Sequence, residues 1–302
     1  MRLCSVSVDL DEIGCYAQIH GLCAAAESHA VYDLALTRIR SFAADAGLPL
    51  TLFVIARDLE RAQNVEALRP LLADGHEVGN HSLDHLYDLS RREASERTRQ
   101  VESATERLYS ALGVRPTGFR APGYTVTDEL LETIQACGLS YDSSVFPCPP
   151  YYAAKVARLL RMKLGGYASR AILDTPRVLR APTTPYRVGR PYWTPGRGLL
   201  ELPIQVAGPL QLPFIGTSLS LLGPSAARLL TRTLIGAPFL NLELHGIDFL
   251  EARDVAEPLW SVQPDLRVPV TRKLETFAAV LDLLRKQGYA ALRLDEAARA
   301  FA

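Results

Sequence analysis

The chain has 302 residues, 48% of them hydrophobic and 22% charged, with 33 basic residues against 33 acidic ones. That composition excludes a disordered chain, and zero net charge removes the overall field that would gather nucleic acid or another polyanion. The length suits one large domain, barrels of alternating strands and helices included.

Leu3 to Asp11 (LCSVSVDLD) reads as a strand whose alternation sends Ser5, Ser7, Asp9 and Asp11 to one face and Cys4, Val6, Val8 and Leu10 to the other. Two carboxylates on one face at a strand end either call for a cation or a raised pKa, or stand in water at a turn. No long apolar core precedes them, so neither a secretory leader nor a membrane span is expected there, and nowhere do 18 uncharged apolar residues run together. Five cysteines, Cys4, Cys15, Cys23, Cys137 and Cys148, form no CxxC pair, which suits free thiols in a reducing, cytoplasmic setting.

A glycine-containing loop leads to a helix over Val31 to Ala46 that stops at Gly47, then to a strand over Thr51 to Ala56. Asp58 is the expected cap of a helix running to Asp74, and Glu77 to Asn80 is a brief strand that delivers His81-Ser82-Leu83-Asp84-His85. On a helical turn, histidines four residues apart share a face and can share a metal. Two histidines satisfied by ordinary hydrogen bonds are the other reading of the same spacing.

Ser90 to Leu112 is a long solvated helix, with Glu and Arg at helical spacing. Thr117 to Tyr124 (TGFRAPGY) ends a strand with Arg120 before a Pro-Gly turn, where an arginine is either at the surface or the charged partner of a site. Asp128 to Gly138 is the next helix and Leu139 to Ser144 the next strand end, with Asp142 at its tip. Residues 146–198 break the rhythm: ten Lys or Arg stand against one acid, Asp174, and the run Tyr151 to Leu164 is both apolar and basic.

From Leu199 to Leu222 the chain is apolar and proline-punctuated, which predicts two short strands, the second alternatively a loop over the barrel mouth. Pro224 opens a helix through Ile235. Phe239 to His245 (FLNLELH) is a strand with Glu243 and His245 on one face, and His245 beside Gly246 is either a core histidine or a functional one. A polar loop over 248–269, a helix over Thr271 to Gln287, a strand over Tyr289 to Leu294 and a short helix capped by Asp295 complete the chain.

VDLD at Val8 to Asp11, HSLDH at His81 to His85, RAPGY at Arg120 to Tyr124, YDSS at Tyr141 to Ser144 and LELH at Leu242 to His245 follow one another in that order. The series resembles the five motifs of the polysaccharide deacetylase family, the NodB-homology carbohydrate esterases of family 4, from about residue 5 to about residue 295 with 146–198 outside it. The resemblance implies an α/β fold, a distorted (β/α)7 TIM-like barrel in one domain, with a basic insertion after the fifth strand. It implies a divalent metal, zinc above all with cobalt, nickel or manganese as alternatives, held by Asp11, His81 and His85. Asp9 would be the general base, His245 the acid, Arg120 the partner of Asp9, and Asp142 the group that orients His245. Glu243 is a second candidate for that orienting task, and Pro122, Gly123, Tyr124 and Glu243 are expected to meet substrate. Here Leu10 separates two acids that are usually adjacent in the family, a DxD spacing found in one branch of it, and the usual tryptophan of the fourth motif has no counterpart where Pro147 to Pro150 stands.

Hydrolysis of an N-acyl group, acetyl in the first place, from an amino sugar of a polysaccharide or lipid-linked glycan is the expected reaction. Attack on a small cyclic amide and a non-catalytic sugar-binding barrel are the alternatives. The basic stretch adds two readings. Its Lys and Arg meet a phosphorylated or lipid-linked sugar or a membrane surface, with Val156, Leu159, Leu160 and Leu164 against acyl chain, or it is a helix with its basic face in water.

Overall fold

The computed structural model describes residues 2–22, 28–166 and 169–302. Cys23 lies outside these residues; Cys4, Cys15, Cys137 and Cys148 are free thiols. In chain order the strands are β1 (Arg2–Asp9), β2 (Leu50–Val54), β3 (Glu77–Asn80), β4 (Gly118–Phe119), β5 (Tyr141–Asp142), β6 (Tyr186–Val188), β7 (Pro195–Glu201), β8 (Val206–Ala207), β9 (Leu212–Pro213), β10 (Phe239–His245) and β11 (Tyr289–Ala291). The helices are α1 (Ile13–His20), α2 (Leu36–Ala46), α3 (Ala62–Ala73), α4 (Ala94–Leu112), α5 (Asp128–Ala136), α6 (Pro149–Leu164), α7 (Gly216–Arg232), α8 (Glu257–Val262), α9 (Val270–Lys286) and α10 (Leu294–Phe301).

The main sheet runs β10-β1-β2-β3-β4-β5-β7-β6, parallel as far as β7, with antiparallel β6 at its edge and β11 beside the first residues of β1. It curls until the chain after β7 reaches β10. Gln205 N donates to Asn241 O at 3.1 Å, and Asn241 Nδ2 donates to the carbonyls of Leu202 and Pro203. The result is the α/β, distorted seven-stranded barrel that the motif series implies.

From Leu3 onward β1 is buried on both faces. Cys4, Val6 and Val8 pack outward on Leu36, Ile39 and Phe42 of α2 and Phe277 and Val280 of α9. Ser5, Ser7 and Asp9 turn inward, so the polar face is not solvated but fills a polar barrel interior. Small residues make room there: a Cβ on Gly118 would meet Tyr141 Cζ at 1.9 Å, and one on Gly79 would meet the Phe53 ring at 2.6 Å. Glu77 closes the other end of the barrel, accepting from Thr51 Oγ1 at 2.6 Å, Tyr141 OH at 2.8 Å and Asp295 N at 3.0 Å.

Several local expectations change. Asp58 sits in a 3-10 turn (Ala56–Glu60), and α3 starts beyond it with Arg61 at its N-cap, because the turn spends a full revolution before the helix begins. Asp295 lies inside α10, whose N-cap is Arg293. The region 248–269 folds into short helical turns, including α8, around the buried Asp265 and Lys273, 3.5 Å apart. In place of one further short strand or a loop over the mouth, 206–213 is the β8-β9 pair, and α7 already begins at Gly216; Gly223, at φ 74°, breaks it so that Pro224 opens its second segment. The segment 146–198 supplies α6, and its last residues join the sheet as β6 and the start of β7. No helix among the described residues is long and apolar enough to cross a membrane.

Candidate active site

The carboxyl ends of β10, β1, β2, β3 and β4 lie side by side, where parallel barrels gather their functional groups. His81 follows β3 directly, its N–H bonded to Val54 O at 3.1 Å. The segment HSLDH is not a helical turn: Ser82 and His85 are left-handed, at φ 65° and 51°. Asn80 Oδ1 accepts from Ser82 N and Ser82 Oγ from His85 N, so local side-chain bonds replace the helical ladder. The two imidazoles still meet, with ring centroids 4.8 Å apart.

His81 Nδ1 donates to the carbonyl of Arg120 at 2.7 Å, which leaves the Nε2 lone pair free. That Nε2 lies 3.0 Å from Asp11 Oδ1, and His85 Nε2 approaches the same oxygen at 3.3 Å. Neither ring nitrogen of His85 nor Asp11 Oδ1 has a hydrogen-bond partner, and all three residues are buried. Lone pairs converging in a buried space are stable only around a cation or a trapped proton. One carboxylate and two imidazoles of this kind fit a divalent ion such as zinc, with an open side toward the cavity.

Asp9 stands beside this group, Oδ2 at 4.0 Å from His81 Nε2, while Oδ1 accepts from Arg120 Nη1 at 2.7 Å. Arg120 is fully buried, not a surface residue. Its Nη1 also donates to Ser7 Oγ, Nε to Ser143 O and Nη2 to Ser143 Oγ, and the guanidinium lies 4.3 Å over the Phe53 ring. Every edge of the fork is engaged, so the oxygen it grips is fixed.

His245, at the end of β10, is held on three sides. Asp248 Oδ2 accepts its backbone N–H at 2.8 Å, Tyr124 OH lies 3.0 Å from Nε2, and Glu243 Oε1 lies 2.8 Å from Nδ1. The Glu243 contact holds the ring by charge, without an aligned hydrogen bond. Burial alone would lower the imidazole pKa, but the carboxylate of Glu243 more than reverses this and leaves it well above the usual histidine value.

Asp142 therefore does not orient His245. Its oxygens accept from Ser144 N and Oγ, and it faces Glu201 directly across β5 and β7. Burial raises both carboxyl groups; Asp142 pushes Glu201 up further, while the bond from Glu201 works to lower Asp142. The reason is the curl of the sheet: β10 neighbours β1, whereas β5 is on its far side. Glu201 is a site-end acid that sequence reasoning missed, although its signal, LELP at a strand end, matches that of Glu243 in LELH.

Above these groups opens a cavity of about 430 Å³, lined among others by Asp9, Asp11, His81, Tyr124 and His245. Of the residues expected to meet substrate, Gly123 and Tyr124 line it; Pro122 and Glu243 do not, being packed behind the wall. Tyr16 of α1 and Tyr87 add aromatic wall that no motif marked. Helix α6 contributes Tyr151, Lys155, Arg158 and Leu159, whereas Leu160 and Leu164 stand exposed outside.

Residues 34–141, which include His81, His85 and Arg120, match the family model of polysaccharide deacetylase. Over that stretch the chain is similar to the polysaccharide deacetylases. It is 37% identical over 94 residues to a chitooligosaccharide deacetylase from Bradyrhizobium sp. (strain ANU 289), a match covering 31% of this chain and 42% of that relative. The chain thus spans less than half of that relative's length. The same fold occurs in a Mycobacterium smegmatis protein assigned to the polysaccharide deacetylases, at a TM-score of 0.61 and 16% identity over 99% of this chain and 90% of that one. A CE4 family pseudoenzyme from Bacillus anthracis shares it at a TM-score of 0.51 and 11% identity, over 99% and 66% of the two chains. The fold therefore houses a pseudoenzyme as well, and the site residues must carry the functional argument.

Proposed function

We propose that this chain is a metal-dependent hydrolase that removes the N-acetyl group from an amino sugar of a glycan. The observation that carries the reading is the convergence of His81 Nε2 and His85 Nε2 on one oxygen of Asp11, with Asp9 alongside. Asp11, His81 and His85 would hold the ion, zinc first. Bound there, a divalent ion supplies Lewis acidity that lowers the pKa of a water and polarises the acetyl carbonyl.

The residues around the ion do the proton work. Asp9, with Oδ1 tied to Arg120, takes a proton from the attacking water at its free Oδ2. His245 is kept protonated by Glu243 and gives its proton from Nε2 to the departing amine nitrogen, so the amide C–N bond breaks as acetate leaves. Tyr124 OH occupies the Nε2 side of that ring and keeps the N–H aimed into the cavity. Arg120 stays charged and fixes which oxygen of Asp9 faces the reaction.

The test is acetate release from N-acetylated glucosamine oligomers by protein loaded with one equivalent of zinc. Release should stop on chelation and return on adding metal back. A cyclic ureide run in parallel separates this reading from hydrolysis of small cyclic amides, and turnover of the ureide alone would replace it.

A further inference from the structure

Helix α6 is the part of the cavity wall that the strand ends do not build. Pro149 and Pro150 start it, and Tyr151, Ala154, Lys155, Arg158 and Leu159, one face at helical spacing, turn toward the cavity. Two of these five are cations one turn apart, on the same side of the helix and in the same space as Tyr124 and His245.

Among the described residues neither cation makes an ion pair with an acid. Lys155 is half-buried; its Nζ donates to the carbonyl of Gly123 at 2.9 Å and lies 5.9 Å from the Tyr151 ring centroid, which leaves ammonium donors unused. Asp174, the one acid of the basic segment, accepts from Tyr192 OH at 2.8 Å and makes no ion pair with Lys155, although its charge acts on the ammonium from a distance. Arg158 Nη2 contacts His20 Nδ1, and His20 Nε2 in turn reaches Gln263 Oε1 at 3.1 Å. Burial and the neighbouring Arg158 hold His20 down at about 4, so it is a neutral acceptor that positions the guanidinium without cancelling its charge. Burial also draws Lys155 down to about 8, still protonated at neutral pH but against a penalty that an anion would relieve.

Like charges at i and i+3 repel, and holding both at a concave, partly desolvated wall by neutral partners leaves a gap that one multivalent anion fits. A phosphoryl group offers several oxygens and up to two charges to an ammonium and a guanidinium fork. We propose that Lys155 and Arg158 form a subsite for a phosphoryl group borne by the amino sugar, so that the substrate is a phosphorylated sugar. The identity of that sugar as substrate rests on the deacetylase reading above.

Calorimetry on the zinc-loaded full chain compares N-acetylglucosamine 1-phosphate with N-acetylglucosamine. The wild type should bind the phosphorylated sugar at least about tenfold more tightly, the effect of one or two charge-assisted contacts. The double variant Lys155→Gln/Arg158→Gln should lose the preference, Arg158→Gln alone, at an exposed position, should weaken it, and Arg158→Lys should keep most of it. Equal affinities in the wild type would overturn the proposal. So would a preference that persists in the double variant, as phosphate bound by the metal alone would give. A third arm uses phosphatidylglycerol vesicles: vesicle binding lost in the double variant, with no preference between the soluble sugars, would assign the cations to a bilayer and overturn it too. Because binding is read as heat, a failure to release acetate defeats the catalytic reading and leaves the phosphoryl preference to be scored separately.

Discussion

At one end of one barrel, the side built from β10, β1 and β4 sets each buried acid against a cation, Glu243 against His245 and Asp9 against Arg120. The side built from β5 and β7 sets two acids, Asp142 and Glu201, against each other. The residue types and depths are the same, and the partners differ. Against burial, His245 holds Glu243 below its ordinary value, and at Asp9 burial raises the carboxyl while Arg120 opposes the rise, whereas two acids in a dry space share a proton and act as a structural clasp. The clasp still reaches the site at one remove: Ser144 bonds Asp142 and also accepts from Ala121 N, next to Arg120.

The largest effect that would break this contrast is at Asp11, His81 and His85, the residues proposed to hold the metal. His81→Ala should lower kcat/KM by about a thousandfold and abolish stoichiometric zinc binding, read by acetate release and by metal analysis of the purified variant. Near-normal activity there would place the chemistry elsewhere.

Glu243→Gln should cost about tenfold at neutral pH and move the alkaline limb of the pH profile to lower pH, since the carboxylate is what raises His245. Asp142→Asn should leave that limb in place, which is the sharpest form of the comparison. An equal displacement in both variants would mean that the two acids do one job.

Asp142→Asn should instead show in stability, by about 1 kcal/mol from a weakened bond to Ser144 N or Oγ, measured by urea unfolding. The smallest effect is on pH dependence. Burial raises Glu201 well above its ordinary value and Glu77 from 4.5 to about 7, so the folded chain holds these protons more tightly than the unfolded one. Their stabilising contribution is complete below the ordinary carboxylate range and is lost as pH rises through the folded values. Stability should decline from pH 5 toward pH 8, and Glu201→Gln should flatten the decline; an unchanged slope would show that Glu201 is ionised in the fold.

Much of this was legible in the residues. The alternation of β1 put Asp9 beside Ser7 on the face that meets Arg120, and FLNLELH matched β10 from Phe239 to His245. The motif order pointed to Asp11, His81 and His85, which do converge. Other features depend on contacts far apart in the chain, and local pattern does not carry those. Spacing alone suggested a helical turn for HSLDH, but the side chains of Asn80 and Ser82 pull it into two left-handed residues. Asp142 ends β5 and Glu243 lies close to the end of β10, and only the order of the sheet decides which touches His245. The basic composition of 146–198 was plain, yet which two of its ten cations face the cavity follows from where α6 packs.

The account turns on Asp9 acting as base beside a metal that three other residues hold. Asp9→Asn, analysed for zinc content and acetate release in the same preparation, tests that division most directly. One zinc per chain with acetate release reduced by about two to four orders of magnitude is the expected result. Full activity in Asp9→Asn, or a wild type that binds no divalent metal, would contradict it.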